Sequence, residues 1–196
     1  MSLEVKLSNY DDVIKGLDAC KKDLAKGVRR TLNDMARREA NTVAGTEVAK
    51  FYNIQKGDVT EKFTGYKVVD SIHLAGVNID CYELTWKGRN LMPTHFSMSV
   101  LKRGTVKWKP HKKGAKEVLK HIDYPQASIF IAKGLPFIRL PYARAKKTQK
   151  GWSTLPIDAV RSHLSVPQMI DNENVNPKIE KEIDKRINAK LNKYIK

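Results

Sequence analysis

The spacing of the apolar residues changes twice along the chain, and this change limits the possible folds more than any other feature. Near the N-terminus, most apolar residues recur at gaps of three or four, which places them along one side of a helix. They are Val13, Leu17, Cys20, Leu24, Val28, Leu32, Met35 and Val43. The spacing predicts one long amphipathic helix, or two in line, over about residues 9–44, after a short strand at 3–7. We expect Gly45 to interrupt it, and another helical turn or two at 46–52 is left open.

In the middle of the chain, apolar residues recur at every second position. Apolar and polar residues alternate in short segments between residues 66 and 140, as they do in half-buried strands. Glycine-containing pairs separate these segments, and we interpret Arg103-Gly104 and Lys133-Gly134 as hairpin turns. This pattern predicts an antiparallel β meander of about five or six strands.

The C-terminal part returns to a helical pattern. Asn176 precedes Pro177, a pair that predicts a helix N-cap followed by the first helical residue. Aliphatic residues then follow at four-residue gaps: Ile179, Ile183, Ile187, Leu191 and Ile195. Four residues advance about 400° around a helix, so this stripe winds slowly around the C-terminal helix.

Together these segments predict an α+β fold in the order helix, meander, helix. We expect a single domain over residues 1–196. It has a mainly helical part at 1–65, a β-rich middle at 66–155 and a C-terminal helical part at 156–196.

The middle part carries most of the positive charge. The chain has 37 Lys and Arg against 21 Asp and Glu, a net charge of +16, and residues 66–155 have 17 basic against 5 acidic side chains, a net +12. Such concentration indicates a surface that meets a negative partner, although solvated lysines of a basic domain would give the same pattern. The candidate DNA or partner contacts are Lys107, Lys109, Lys112, Lys113, Lys116, Arg144, Lys146 and Lys147.

Two tryptophans lie within these basic segments, and their role has two interpretations. Trp108 and Trp152 either stack on nucleic-acid bases or fill the core while the lysines face water. The core interpretation is favoured.

Sequence motifs for catalysis are missing. The five histidines are scattered singly, the middle carboxylates are isolated, and the chain has no phosphate-binding loop. Two cysteines cannot build a disulfide framework, no apolar run is long enough to span a membrane, and no secretory segment is recognisable. We therefore expect no catalytic residues, no metal, no cofactor and no membrane contact.

Several short motifs follow one another in a characteristic order. They are an amphipathic helix at 29–38, a Tyr-x-Ile-x-Lys-x-Asp-Val element at 52–59, a strand with a glycine turn at 128–134, a strand at 136–139, Leu-Pro-Ile at 155–157 and Leu-Ser-Val-Pro at 164–167. Over about residues 25–196 this order resembles the phage and prophage minor tail protein Z family, the tail completion proteins. The resemblance does not cover the lysine-rich segment at 105–125.

The resemblance implies a structural protein that acts in tail completion and head–tail joining, as a subunit of a ring at the head-proximal end of the tail. Its partners would be other tail or neck proteins and further copies of itself, with phage DNA as a possible contact. It would be made in the bacterial cytoplasm and reside in the virion tail. It implies no catalytic residues and no cofactor. The alternative is a stand-alone basic nucleic-acid-binding protein; a hydrolase or nuclease lacks a recognisable site.

Overall fold

The computed structural model describes residues 22–101, 105–141, 146–148, 151–154 and 156–193, with the backbone alone at 22–23, 146–148 and 151–154. Its α-helices are α1 (Lys22–Asp34), α2 (Ala40–Phe51), α3 (Lys56–Thr60), α4 (Val166–Ile170) and α5 (Asn176–Leu191). Its strands are β1 (Phe63–Leu74), β2 (Val77–Trp86), β3 (Ser97–Val100), β4 (Val106–Lys109), β5 (Glu117–Val118), β6 (Ile129–Ala132), β7 (Leu135–Arg139), β8 (Lys146–Thr148), β9 (Gly151–Thr154) and β10 (Ile157–Ala159). A π-helical turn, Met35–Glu39, links α1 to α2, and a 3₁₀ turn, Pro93–His95, precedes β3.

The predicted α+β class, with an N-terminal helix, antiparallel strands and a C-terminal helix, is confirmed. The sequence predicted a single meander of five or six strands, and this part of the prediction is wrong. The described residues form ten strands in four small sheets. Their orders are β1-β2, β3-β4-β5, β10-β7-β6 and β8-β9, and all pairs are antiparallel. Most strands have only two to five residues, because glycines, prolines and polar turns interrupt the alternation.

The described chain divides into two compact units. The first unit contains residues 22–50, 56–88 and 166–193, and the second contains the described residues of 51–55 and 89–165. The first unit therefore holds most of the helical residues and the long β1–β2 hairpin, and the second holds the short strands. The sequence prediction of one domain stays a prediction.

The N-terminal helical region continues without a break through Gly45. The predicted strand at 3–7 and the predicted helix start lie outside the described residues. Helix α2 continues through Gly45 to Phe51, so the expected interruption at Gly45 is wrong. A side chain at this position would collide with α3, since an added Cβ would lie 2.7 Å from the Thr60 side chain. The glycine therefore allows close packing within an intact helix.

Helix α5 buries its aliphatic stripe in the first unit, where it packs against α1. The buried residues are Ile179, Ile183, Ile187 and Leu191, whereas Ile195 lies outside the described residues. The predicted N-cap is wrong by one position. Asn176 is the first helical residue and Val175 precedes it without a side-chain cap, because the backbone N–H groups of both donate to the Asn172 carbonyl and close the preceding turn.

The β1–β2 hairpin packs its second strand on α1. Its turn is made by Ala75 and Gly76, whose φ angles are 49° and 75°. At the other end of β2, the buried Trp86 donates from Nε1 to Asn41 Oδ1 at 3.1 Å. Asn41 in turn donates from Nδ2 to the carbonyl of Thr60 at 3.1 Å, so one amide links α2, α3 and the hairpin.

The second unit is built on its two three-stranded sheets. The predicted hairpin turn at Lys133-Gly134 is present, with φ angles of 50° and 77°. The predicted turn at Arg103-Gly104 lies outside the described residues. Ile138 of β7 is fully buried in the core of this unit.

None of the helices described in the structure is both long and apolar enough to cross a membrane.

Candidate polyanion-binding surface

The positive charge of the protein belongs almost entirely to the second unit. Its sequence, residues 51–55 and 89–165, has 16 Lys and Arg against 3 Asp and Glu, a net +13. The remainder of the chain has 21 against 18, a net +3. The β1–β2 hairpin, which the sequence grouped with the basic middle, belongs to the nearly balanced first unit.

The two units also differ in how their cations are neutralised. In the first unit the Glu39 carboxylate forms ion pairs with both Arg186 and Lys190. Lys67 Nζ lies 2.8 Å from Glu83 Oε2. In the second unit, no Lys or Arg whose side chain the structure describes forms an ion pair with a carboxylate. The cations of the second unit whose side chains are described are therefore available to an external anion.

Strand β4 orients two of the predicted lysines. Its residues alternate between the core and the outer side of the sheet, so the buried Val106 and Trp108 point inwards. Lys107 and Lys109 are half-buried and point to the opposite side, because successive strand residues face opposite ways.

Neighbouring strands add polar groups to that side. Ser97 pairs with Lys109 and Ser99 with Lys107 across the β3–β4 ladder. Lys116 reaches the same side, since its Nζ lies 3.4 Å from Ser99 Oγ. We call these five residues, Ser97, Ser99, Lys107, Lys109 and Lys116, the lysine face. It brings together three of the eight predicted contact residues.

The structure decides between the two interpretations of Trp108. Its side chain is 2% exposed, and its ring makes edge contacts with Phe96 at 5.1 Å and His163 at 5.3 Å. Trp108 therefore fills the core and cannot stack on a base. The Trp152 side chain lies outside the described part of the chain.

Two further predicted lysines lie on a bend that follows β4. Lys112 and Lys113 are both exposed there. The bend is anchored because the Lys112 N–H donates to the Phe51 carbonyl at 3.1 Å and the Asn53 N–H donates to the Pro110 carbonyl at 2.7 Å. These lysines are thus displayed on a held segment rather than on a free loop.

Aromatic rings support the same bend. Tyr52 and His111 form an isolated β-bridge with ring centroids 4.8 Å apart, and Phe51 packs edge-on against both. Burial raises the pKa of the Tyr52 phenol, which keeps it neutral near neutral pH. The ring contacts of this cluster therefore hold the bend by packing.

No side-chain contacts are described for the three remaining residues of the predicted contact set. Lys146 and Lys147 belong to β8, where the backbone alone is described, and they pair with Thr154 and Trp152 of β9. Arg144 lies outside the described residues.

One histidine that the sequence left unassigned is buried among partners. His121 Nδ1 accepts from the backbone N–H groups of Asp123 and Tyr124, both at 3.2 Å, and its Nε2 lies 3.4 Å from Asp158 Oδ2. The turn that it holds lines a groove of about 790 Å³ together with Arg139. No local signal could have revealed this contact, because Asp158 is distant in the sequence.

No three His, Cys, Asp or Glu residues among those described are placed to hold a metal ion. Neither a protein-family model nor a curated protein nor a solved structure matches the chain. The resemblance to tail protein Z therefore remains a sequence-based expectation.

Proposed function

We propose that this chain is a structural protein of a phage or prophage tail. It acts in tail completion and head–tail joining, as a subunit of a ring at the head-proximal end of the tail. One structural observation supports it: the second unit carries a net +13 with exposed lysines that no described carboxylate neutralises. At the junction of head and tail, such a surface would contact an acidic neighbour or the DNA that leaves the head. The order of motifs along the sequence supports the same role.

The proposed role is binding rather than catalysis. The buried His121 has contacts at both ring nitrogens, since its Nδ1 accepts from two backbone N–H groups and its Nε2 lies 3.4 Å from Asp158 Oδ2. His73 is exposed, and its Nδ1 is held by the Asn78 side chain at 2.7 Å. These histidines act as structural groups.

Tail joining in an extract tests this function. Tails assembled without the chain are mixed with filled heads, with and without the purified protein, and joined particles are counted by electron microscopy. We expect joining to depend on the added protein and the protein to appear at the head-proximal end of the tail. Equal joining in both mixtures would contradict the proposal.

The second candidate is a stand-alone nucleic-acid-binding protein, and the described lysines of the second unit, which have no carboxylate partner, favour it as well. The two candidates differ in their response to tails. A tail subunit co-sediments with tails that lack it, whereas a stand-alone binder remains in the supernatant and binds nucleic acid with an affinity that falls steeply with salt.

A further inference from the structure

We infer that the lysine face binds the phosphate backbone of duplex DNA without reading its sequence. This inference rests on the proposed function, because it names the ligand of the same basic surface. It selects duplex DNA over two other partners that the charge alone would allow, a single strand and an acidic protein.

The groups on the face suit phosphates. Lys107 and Lys109 are two residues apart on one side of β4, which spaces their Cα atoms by about 6.8 Å. The serine hydroxyls paired with them across the ladder have Cβ atoms about 4.5–5.5 Å away. Ammonium and hydroxyl groups are common partners of phosphate oxygens, and they carry no sequence information. The face therefore offers a row of phosphate ligands and no device for reading bases.

The lysine face lacks the aromatic side chains that single-strand binding uses. Proteins that bind single strands stack bases on aromatic side chains. The aromatic residue of β4, Trp108, points to the core, and none of the residues of the lysine face is aromatic. Binding then depends on charge density, which is highest on a duplex at one charge per about 1.7 Å of its axis.

Two features disfavour an acidic protein partner. They are the wide distribution of positive charge over the unit and the lack of an aromatic or arginine anchor residue on the face. The excess charge is not confined to the face, since Lys133, Arg139 and Arg161 are exposed elsewhere on the same unit. Protein interfaces concentrate their energy in buried aromatic and arginine anchors. The exposed apolar residues on this side of the sheet are the aliphatic Leu101 and Val118, 43% and 48% exposed.

The test measures binding of the full chain to a fluorescein-labelled DNA duplex of mixed sequence, by anisotropy over a series of salt concentrations. The face variant is Lys107→Gln with Lys109→Gln, which keeps most of each aliphatic stem. The matched control is Lys133→Gln with Arg139→Gln, which removes the same charge from exposed positions on the other three-stranded sheet, outside the face. Lys133 has a positive φ, but glutamine has the same Cβ as lysine and adds no backbone strain.

We expect the face variant to bind the duplex about tenfold more weakly and its salt slope to fall by about 1.8, from two lost phosphate contacts. The salt slope of the control variant should fall by less than half of that amount. Circular dichroism and thermal unfolding establish that both variants are folded. If the face variant is unstable, Lys116→Gln alone provides the same comparison from the rim of the face, with an expected slope change of about 0.9.

Equal losses in face variant and control would overturn the inference, because binding would then follow net charge alone. It would also be overturned by tighter binding of the single strand, or by equal competition from poly-glutamate, which would indicate an acidic protein partner. Tail joining is scored separately. A wild-type chain that joins tails but has no affinity for the duplex leaves the proposed function intact and rejects this inference.

Discussion

Gly45 shows how one residue allows two helices to pack closely. It lies inside α2, where an added Cβ would be 2.7 Å from Thr60 Cγ2, 3.1 Å from Lys56 Cγ and 3.3 Å from the Lys56 carbonyl oxygen. Alanine is normally the better helix former by about 1 kcal/mol. Here the collision with α3 outweighs that gain, since one of the atoms is backbone and cannot move aside freely.

We therefore predict that Gly45→Ala lowers the free energy of unfolding by about 1–3 kcal/mol. The matched control is Gly57→Ala in α3, where no atom lies within 4 Å of the new Cβ and stability should stay equal or rise. Urea denaturation followed by circular dichroism measures both. A gain in stability from Gly45→Ala equal to that of the control would disprove the close packing of α2 on α3.

At the scale of elements, α5 is held by its aliphatic stripe and by ion pairs. Its four described stripe residues are buried, and at its C-terminal half Lys190 and Arg186 both bind Glu39 of the π-helical turn. Exposed or half-exposed ion pairs contribute little, typically below about 1 kcal/mol. Burial of the stripe is therefore the main term that keeps α5 attached to the first unit.

The corresponding prediction uses adjacent residues of α5. Ile187 is 6% exposed, so Ile187→Asp places an unpaired carboxylate in the core and should lower the unfolding free energy by about 3 kcal/mol or more. Asn188→Asp introduces the same group at an exposed position and should change stability by about 0.5 kcal/mol. Thermal unfolding and limited proteolysis check the pair. Unchanged stability of the Ile187 variant would mean that the helix does not dock through this stripe.

At the scale of the whole molecule, the uneven charge opposes self-assembly. A ring would bring copies of the second unit close to one another, and each carries a net +13. Like charges repel within a Debye length, which is about 30 Å at about 0.01 M salt and about 3 Å at about 1 M. An anionic partner that neutralises the second unit removes this repulsion.

We predict that the isolated protein is monomeric at about 0.01 M salt and forms larger assemblies there when duplex DNA or tails are added. Analytical ultracentrifugation distinguishes these states. The Lys133→Gln, Arg139→Gln variant serves as the control, because it weakens repulsion while it leaves the lysine face intact. A closed ring of the wild-type protein at low salt, without any partner, would contradict the role assigned to the charge.

Features that depend on residues close in the chain were predictable from the sequence. The helical stripe of α1 and α2, the aliphatic stripe of α5 and the turn at Lys133-Gly134 were recognised because a period or a turn pair is itself a local signal. The α+β class followed from the order of these periods. The total charge and its concentration also needed no structure, since both are counts along the chain.

Features that depend on contacts between distant residues were decided only by the tertiary structure. The sequence could not tell that Gly45 faces Thr60, or that a turn closed by Asn172 shifts the start of α5 to Asn176. It placed Lys107 and Trp108 in one basic segment, whereas the pairing of β4 with β3 and β5 sends the lysine outwards and the tryptophan into the core. Periodicity specifies which residues share a side of an element. Which side is buried is decided by the elements that pack against it, and those lie far away in the chain.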